Sequence, residues 1–386
     1  MMMLDLFSGI GGFHKGFEQA GYTFDWVGFS EIDKYANAVY KHRFPKSEEL
    51  GDITIIQPER DLPDYIDILC GGFPCQAFSV AGKRKGFDDT RGTLFFEIAR
   101  LLRHYRETES PIDYFVLENV KGLLSHDNGR TFATIYRVLS DLGYTVEFEL
   151  LNTRNYSRPQ NRERIYLVGY IGDRSGSKVF PIGETSSLTD NRNTEVANTL
   201  QHPGHSGGNY RGMKMVSELN QIGTIGKDSE ATTGLYKIPE ATKKGYAEAE
   251  EGDSINLSVP NSKTRRGRLG KGEAQTLDTG MQQYTIQPVL TPNRAEKRQN
   301  GRRFKEDGET LTGQDQHGVM VERSQIRRLT PKETCRLQGF PDDWNEYGEF
   351  DGKVKPMSDT QRYKQCGNAV TVNVVQAVAE RIGEMK

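Results

Sequence analysis

The sequence predicts an α/β fold. A wound sheet with crossover helices spans residues 1–173 and is completed by residues 355–386, while a second, smaller β-rich domain with a hinge occupies 174–354. Three observations carry this reading. In the first zone short apolar runs alternate with amphipathic stretches, as they do where helices cover a parallel sheet. The middle zone turns to Gly, Thr, Asn, Gln and charge with isolated apolar pairs, which suits short strands and long loops. From Arg327 the compact pattern returns. The 386 residues fit two or three domains at about 150 residues each.

The elements follow in order. Met3 to Phe7 reads as a buried strand, and Phe13, Phe17 and Ala20 then recur at helical spacing. Ile66–Leu69, Phe115–Leu117 and Ile165–Val168 are further buried strands. Leu94 to Tyr105 is a helix with Phe95, Ile98, Leu101 and Leu102 on one face. Parallel pairing through crossover helices is the economical connection. Pro331 to Gln338 reads as a short helix and Val370 to Ile382 as a longer amphipathic one.

Composition excludes several classes. Fifty-one basic against 53 acidic residues give a net charge of −2, so the chain is no general polyanion binder. The positive charge is local: residues 255–305 hold 11 Lys and Arg against 3 Asp and Glu. No run approaches about 18 apolar residues, which argues against a membrane span. The first residues lack the basic start of a secretory signal. Cys70, Cys75, Cys335 and Cys366 have no CxxC spacing, the mark of a reduced, cytoplasmic chain. Seven histidines are scattered without ligand spacing, so no metal site is expected.

Four segments carry chemistry. Asp5 to Phe13 runs from a strand through a glycine turn into a helix, where backbone can approach a ligand at an electropositive helix start. Glu31 lies 20 residues beyond Gly11, placed to hold the hydroxyls of a ribose. The turn is not GxGxxG, so an adenosine-bearing ligand other than a nicotinamide dinucleotide is favoured. Gly71 to Gln76 follows a strand and sets Cys75 on a Gly/Pro loop, the placement of a nucleophile; Cys70, inside the strand, reads as structural. Lys83, Arg84, Lys85 and Arg91 follow in a basic, glycine-containing stretch suited to closing over a polyanion. Glu118-Asn119-Val120 puts a carboxylate at another strand end, and Arg162 and Arg164 share a face just before Ile165.

In combination and order these segments resemble the DNA (cytosine-5) methyltransferases of bacteria and phages. The resemblance continues through Arg327 to Pro331, Gln338 to Pro341 and Gln365 to Val370, covering 3–172 and 326–382. It implies a Rossmann-like S-adenosylmethionine-dependent methyltransferase sheet with a β-rich target-recognition domain. Carried over, Phe7, Gly9, Ile10, Gly11, Glu31, Asp52, Ile53, Gly72, Leu94, Asn368, Ala369 and Val370 hold S-adenosylmethionine. Ile32 stands where some members place a tryptophan, so adenine stacking there is weaker; Ala369 stands where some have serine.

The chemistry implied is methyl transfer to C5 of a cytosine flipped out of double-stranded DNA. Cys75, preceded by Pro74, attacks C6, with Arg164 and Arg162 favouring its thiolate and Glu118 stabilising charge on the ring. The sequence does not name the base that takes the C5 proton. Lys83, Arg84, Lys85 and Arg91, with Lys263, Arg265, Arg266 and Arg268 of the middle zone, are expected at the DNA. So is Thr310 of a Thr-Leu pair, with Thr276-Leu277 its rival. A monomer is expected, paired in function with a restriction endonuclease, standing alone, or phage-borne. The alternatives are a tRNA cytosine-5 methyltransferase on the same scaffold and a silent DNA-binding relative. The long basic middle zone argues against the first and the intact Cys75 and Glu118 against the second.

Overall fold

The computed structural model describes residues 1–74, 94–172, 178–182, 226–227, 236–250, 252–256, 268–277, 283–288 and 324–385. Its centre is a seven-stranded sheet in the order β3-β2-β1-β4-β5-β8-β6. These are β1 (Met2–Leu6), β2 (Trp26–Ser30), β3 (Glu48–Glu49), β4 (Ile68–Gly72), β5 (Tyr114–Val120), β6 (Thr145–Asn152) and β8 (Glu163–Tyr170); the two-residue β7 (Gln160–Asn161) stands apart. The first five run parallel, whereas β8 is antiparallel to both β5 and β6. That corrects the all-parallel expectation. An apolar run such as Ile165–Val168 reads the same in either direction, and only its partners fix its sense.

Alternation along the strands supplies two cores. Leu4, Leu6, Leu69, Phe115, Leu117 and Leu167 face α4 (Leu94–Glu107) and α5 (Arg130–Asp141). Met3, Ile68, Val116 and Val168 face α1 (Gly12–Gln19) and α8 (Val372–Glu384). Each fully buried aliphatic or aromatic side chain contributes about 1.5–3 kcal/mol, so these faces dominate stability. Gly12 lets α1 approach the C-terminal segment: a Cβ there would lie 2.5 Å from Val370 Cγ2.

A third cluster joins the glycine turn to the returning chain. Ile10, Phe29, Val39, Tyr40 and Phe44 pack with Leu329, Leu337, Phe340 and Trp344. They lie around α2 (Lys34–Arg43), α6 (Pro331–Leu337) and α7 (Asp359–Asn368), while the short α3 (Pro58–Asp61) precedes β4. α6 starts on a capping box, Thr330 accepting from the Glu333 N–H and Glu333 from the Thr330 N–H. Leu329, Leu337 and Phe340 thus pack against the glycine turn from a segment that precedes residue 355.

The middle zone holds small antiparallel sheets, as its composition predicts. One is β9 (Gly226–Lys227), β10 (Tyr236–Pro239) and β11 (Tyr246–Ala249); another runs β13-β12-β15-β16. The latter comprises β12 (Ser254–Asn256), β13 (Leu269–Gly270), β15 (Gln283–Pro288) and β16 (Ser324–Arg328). β14 (Ala274–Gln275) pairs instead with β7, in parallel. A hairpin of β17 (Tyr347–Phe350) and β18 (Lys353–Pro356) precedes α7. No helix among the described residues is long and apolar enough to cross a membrane.

Candidate active site

Strand order reverses between β1 and β4, and ligands of open α/β sheets bind at the C-terminal edge of such a switch. Phe7 leaves β1 at φ 52°, an uncommon conformation for a bulky residue, and Gly9 follows at φ 55°. A Cβ built on Gly9 meets nothing within 4 Å, so the turn borders open space. Glu31, just beyond β2, reaches across: its carboxylate accepts from the Gly9 N–H at 2.9 Å and the Asp33 N–H at 2.7 Å. Burial raises its pKa above the usual range, and those backbone donors oppose the rise. The Trp344 indole donates to the Ile10 carbonyl at 2.9 Å and fastens the turn from below.

The other expected cofactor residues gather on the same edge. Asp52 caps the short turn Ile53–Ile55, Ile53 is buried, and Ser30 Oγ donates to the Gly51 carbonyl at 2.7 Å. Ile32 is 76% exposed beside Glu31. Gly72 ends β4, and half-buried Leu94 starts α4. Asn368 is exposed at the end of α7, Ala369 and Val370 are buried, and Lys364 anchors that helix on Asp33 at 2.6 Å.

Glu118 stands on β5 opposite Gly72, close enough that a Gly72 Cβ would lie 3.4 Å from Glu118 Oε2. Its buried carboxylate meets Arg164 Nε at 3.0 Å. Burial pushes its pKa up, while Arg164 and then Arg162 pull it down. Because β8 runs antiparallel, its first residues reach the edge where β5 ends, and Arg164 pairs in register with Val120. Arg162 faces elsewhere: it donates to the Gly367 carbonyl at 3.2 Å and the Ala369 carbonyl at 2.9 Å. Burial and the Arg164 charge lower its pKa to about 10. Its contacts are thus with the Gly367–Ala369 segment at the end of α7, and Arg164 is the guanidinium beside the carboxylate.

Asn119 has a part that sequence reasoning missed. Its Nδ2 donates to the Phe73 carbonyl at 2.8 Å, tying down the segment that leads through exposed Pro74 to residue 75. The Glu-Asn-Val triplet signalled the position, and the long-range partner was not visible in it. Trp344 gave no local signal at all. Cys75, Lys83, Arg84, Lys85, Arg91, Lys263, Arg265, Arg266 and Thr310 lie outside the described residues. Cys70 is fully buried and its thiol approaches Asp5 Oδ1 at 3.6 Å, as a structural thiol should. Arg268 departs from its expected place on the DNA face: it is 1% exposed, just before β13. Pairing of its neighbours with β12 draws it inside, and a guanidinium so buried cannot meet a phosphate in this arrangement.

The family of C-5 cytosine-specific DNA methylases matches residues 1–384. The type II methyltransferase M1.ScrFI of Lactococcus lactis subsp. cremoris is 38% identical over 384 residues, covering 99% of this chain and 78% of that protein. The type II methyltransferase M.HpaII of Haemophilus parainfluenzae is 35% identical, covering 99% and 88%. The orphan methyltransferase M.SPRI of Bacillus phage SPR is 33% identical, covering 99% and 97%. Among solved structures, the Dnmt2 methyltransferase of S. pombe gives a TM-score of 0.58 at 18% identity, over 100% of this chain and 98% of that one, a likeness of fold alone. With a family match over the whole sheet, its edge and the returning helices, the chain belongs to the C-5 cytosine-specific DNA methylases and is a DNA (cytosine-5)-methyltransferase.

Proposed function

We propose that this enzyme methylates one cytosine within a short double-stranded DNA sequence, after flipping it from the helix, through a covalent adduct with Cys75. The observation that carries the reading is the buried Glu118–Arg164 pair against Gly72, at the end of β4, three residues before Cys75 in the chain. A buried carboxylate whose pKa is raised can, at such a place, donate to or share a proton with N3 of a cytosine ring. Stabilising the ring there makes C6 open to attack.

The glycine turn fits S-adenosylmethionine. Open space above Gly9, a buried carboxylate at Glu31 and the polar cap at Asp52 suit an adenosine with free ribose hydroxyls. Phe7, Gly9, Ile10, Gly11, Glu31, Ile32, Asp52, Ile53, Gly72, Leu94, Asn368, Ala369 and Val370 form the proposed cleft. When bound, that cofactor supplies an electrophilic methyl group from its sulfonium.

The residues then act in sequence. The Cys75 thiolate forms a bond to C6 of cytosine, and the electron pair displaced from the 5,6 double bond makes C5 nucleophilic. Glu118 offsets charge on the ring while Arg164 holds it in place. After C5 is methylated its proton goes to a base, the double bond re-forms, and the C6–S bond breaks to release the thiolate. Pro74 and the Asn119 anchor fix where the nucleophile emerges. Arg162 braces the Gly367–Ala369 wall. Lys83, Arg84, Lys85, Arg91, Lys263, Arg265, Arg266 and Thr310 are the proposed DNA contacts, and flipping costs a few kcal/mol that phosphate contacts offset. The enzyme is proposed to work as a monomer in the cytoplasm, with or without a restriction endonuclease for the same site.

Bisulfite sequencing of plasmid DNA from cells expressing the protein tests this, with Cys75→Ser as control. Protected cytosines confined to one short motif, and lost in the variant, are the expected result. Absence of protection from soluble protein that binds S-adenosylmethionine would move the substrate to RNA.

A further inference from the structure

Among the described residues, one contact between the middle zone and the catalytic unit is a short parallel strand pairing. β14 lies parallel to β7, with Ala274 opposite Gln160 and Gln275 opposite Asn161. The Ala274 N–H donates to the Pro159 carbonyl at 2.7 Å. Thr276 then donates its hydroxyl to the Asn161 carbonyl at 2.8 Å, and Arg154 approaches Glu273 at 3.6 Å. Leu277 is buried in the cluster that holds Ile10 of the glycine turn.

Both sides of this seam are braced. On the recognition side, Gln283 Nε2 donates to the Gln275 and Thr276 carbonyls, each at 2.8 Å, and Ser254 Oγ donates to the Glu273 carbonyl at 2.7 Å. On the catalytic side, Asn152 Nδ2 donates to Asn161 Oδ1 at 2.9 Å, and Asn152 Oδ1 accepts from the Arg162 N–H at 3.2 Å. Arg164 is three residues further along, about 10 Å at the rise of an extended chain. Gln160 is wholly buried at this seam, and among the described residues neither of its amide atoms has a hydrogen-bond partner. A buried amide without partners leaves the polar side of this seam incompletely paired.

We propose that Thr276 is a positioning residue, whose hydroxyl clasps the recognition domain to the arginine strand and so sets the Arg164–Glu118 pair. Engagement of DNA by the recognition sheet reaches β15, passes through Gln283 to Thr276, and from Asn161 through Arg162 into β8, which carries Arg164. The Thr276-Leu277 pair thereby serves the joint between the two domains, and base reading falls to other residues. The proposal rests on the roles given above to Glu118 and Arg164.

Single-turnover methylation of cognate duplex by Thr276→Val and Thr276→Ser tests it, with Glu118→Gln as a separate control. Valine keeps the shape without the hydroxyl, and serine keeps the hydroxyl. The expected result for Thr276→Val is a rate about tenfold lower, with the Kd for DNA within about twofold. The limb of the pH profile governed by Glu118 moves to higher pH, because a loosened Arg164 no longer holds that pKa down. Thr276→Ser restores both rate and limb. A wild-type rate and limb in Thr276→Val, or equal losses in the two variants, would overturn the proposal. So would a weakened Kd with rate and limb unchanged, which would make Thr276 a DNA contact. Wild-type activity in Glu118→Gln would instead overturn the reading of the site beneath it.

Discussion

The two main sheets of this chain meet the interior with opposite chemistry. The seven-stranded sheet buries Leu4, Leu6, Leu69, Phe115 and Leu117 on one face and Met3, Ile68, Val116 and Val168 on the other. The sheet β13-β12-β15-β16 buries Ser254, Asn256, Gln283 and Thr285 along with Ile255, and Arg268 is buried just before β13. Its register sets Ser254 opposite Thr285 and Asn256 opposite Gln283, so these polar side chains form rows on one face. The first sheet is held by apolar burial, which is non-directional and large. The second leans on hydrogen bonds to the strap 273–276, each worth about 0.5–1.5 kcal/mol net. A scaffold for fixed chemistry gains from the first kind of interior. The second kind lets a few substitutions re-aim what a sheet presents, which suits the recognition role proposed for it.

That contrast can be broken at the catalytic sheet first. Replacing Arg164 by alanine leaves the buried Glu118 carboxylate without its cation, and the single-turnover rate should fall about 100-fold or more. The Glu118 pKa, already raised by burial, rises further, so its limb of the pH–rate profile shifts to higher pH. A fall of less than about threefold in rate would show that the pair is only structural.

The recognition side is sharpened by separating neighbours in its basic block. Arg265→Ala with Arg266→Ala should weaken DNA binding about tenfold at low salt. The slope of log K against log salt should become shallower by about 2, near one unit for each phosphate no longer neutralised. Arg268→Ala should leave that slope alone and lower Tm, because this side chain is buried. A flattened slope from Arg268→Ala alone would put it on the DNA after all.

The smallest effect belongs to a polar group inside the apolar sheet. Asp5 is fully buried, accepts from the Tyr40 hydroxyl at 3.2 Å, and has its pKa raised well above the usual range by burial. The neutral carboxyl is favoured in the fold, so its contribution to stability is complete below the unfolded value near about 3.9. It is lost as pH rises through the folded value. Asp5→Asn keeps the shape and does not ionise, so its Tm should decline less between pH 4 and 8. An unchanged decline in thermal melts would assign the pH dependence elsewhere.

Legibility in the sequence followed the same division. The helix from Leu94, the glycine turn and Glu31 were readable because periodicity and turn chemistry are local. The strand Thr145–Asn152 gave no clear signal: Glu147 and Glu149 lie between its apolar residues and accept from the Val179, Phe180 and Ile182 N–H groups. The burial of Arg268 was not legible, because a run of cations looks the same whether its members face solvent or a polar interior.

The order of the motifs therefore determined the fold class, the family and the identity of the chemical groups, since each motif is a short stretch with its own backbone preference. Only the tertiary structure decided which arginine meets Glu118, what Asn119 holds and where Thr276 binds. Those outcomes depend on the sense of β8 and on the docking of β14 against β7. Both are fixed by pairing between segments far apart in the chain, where local propensity carries no information.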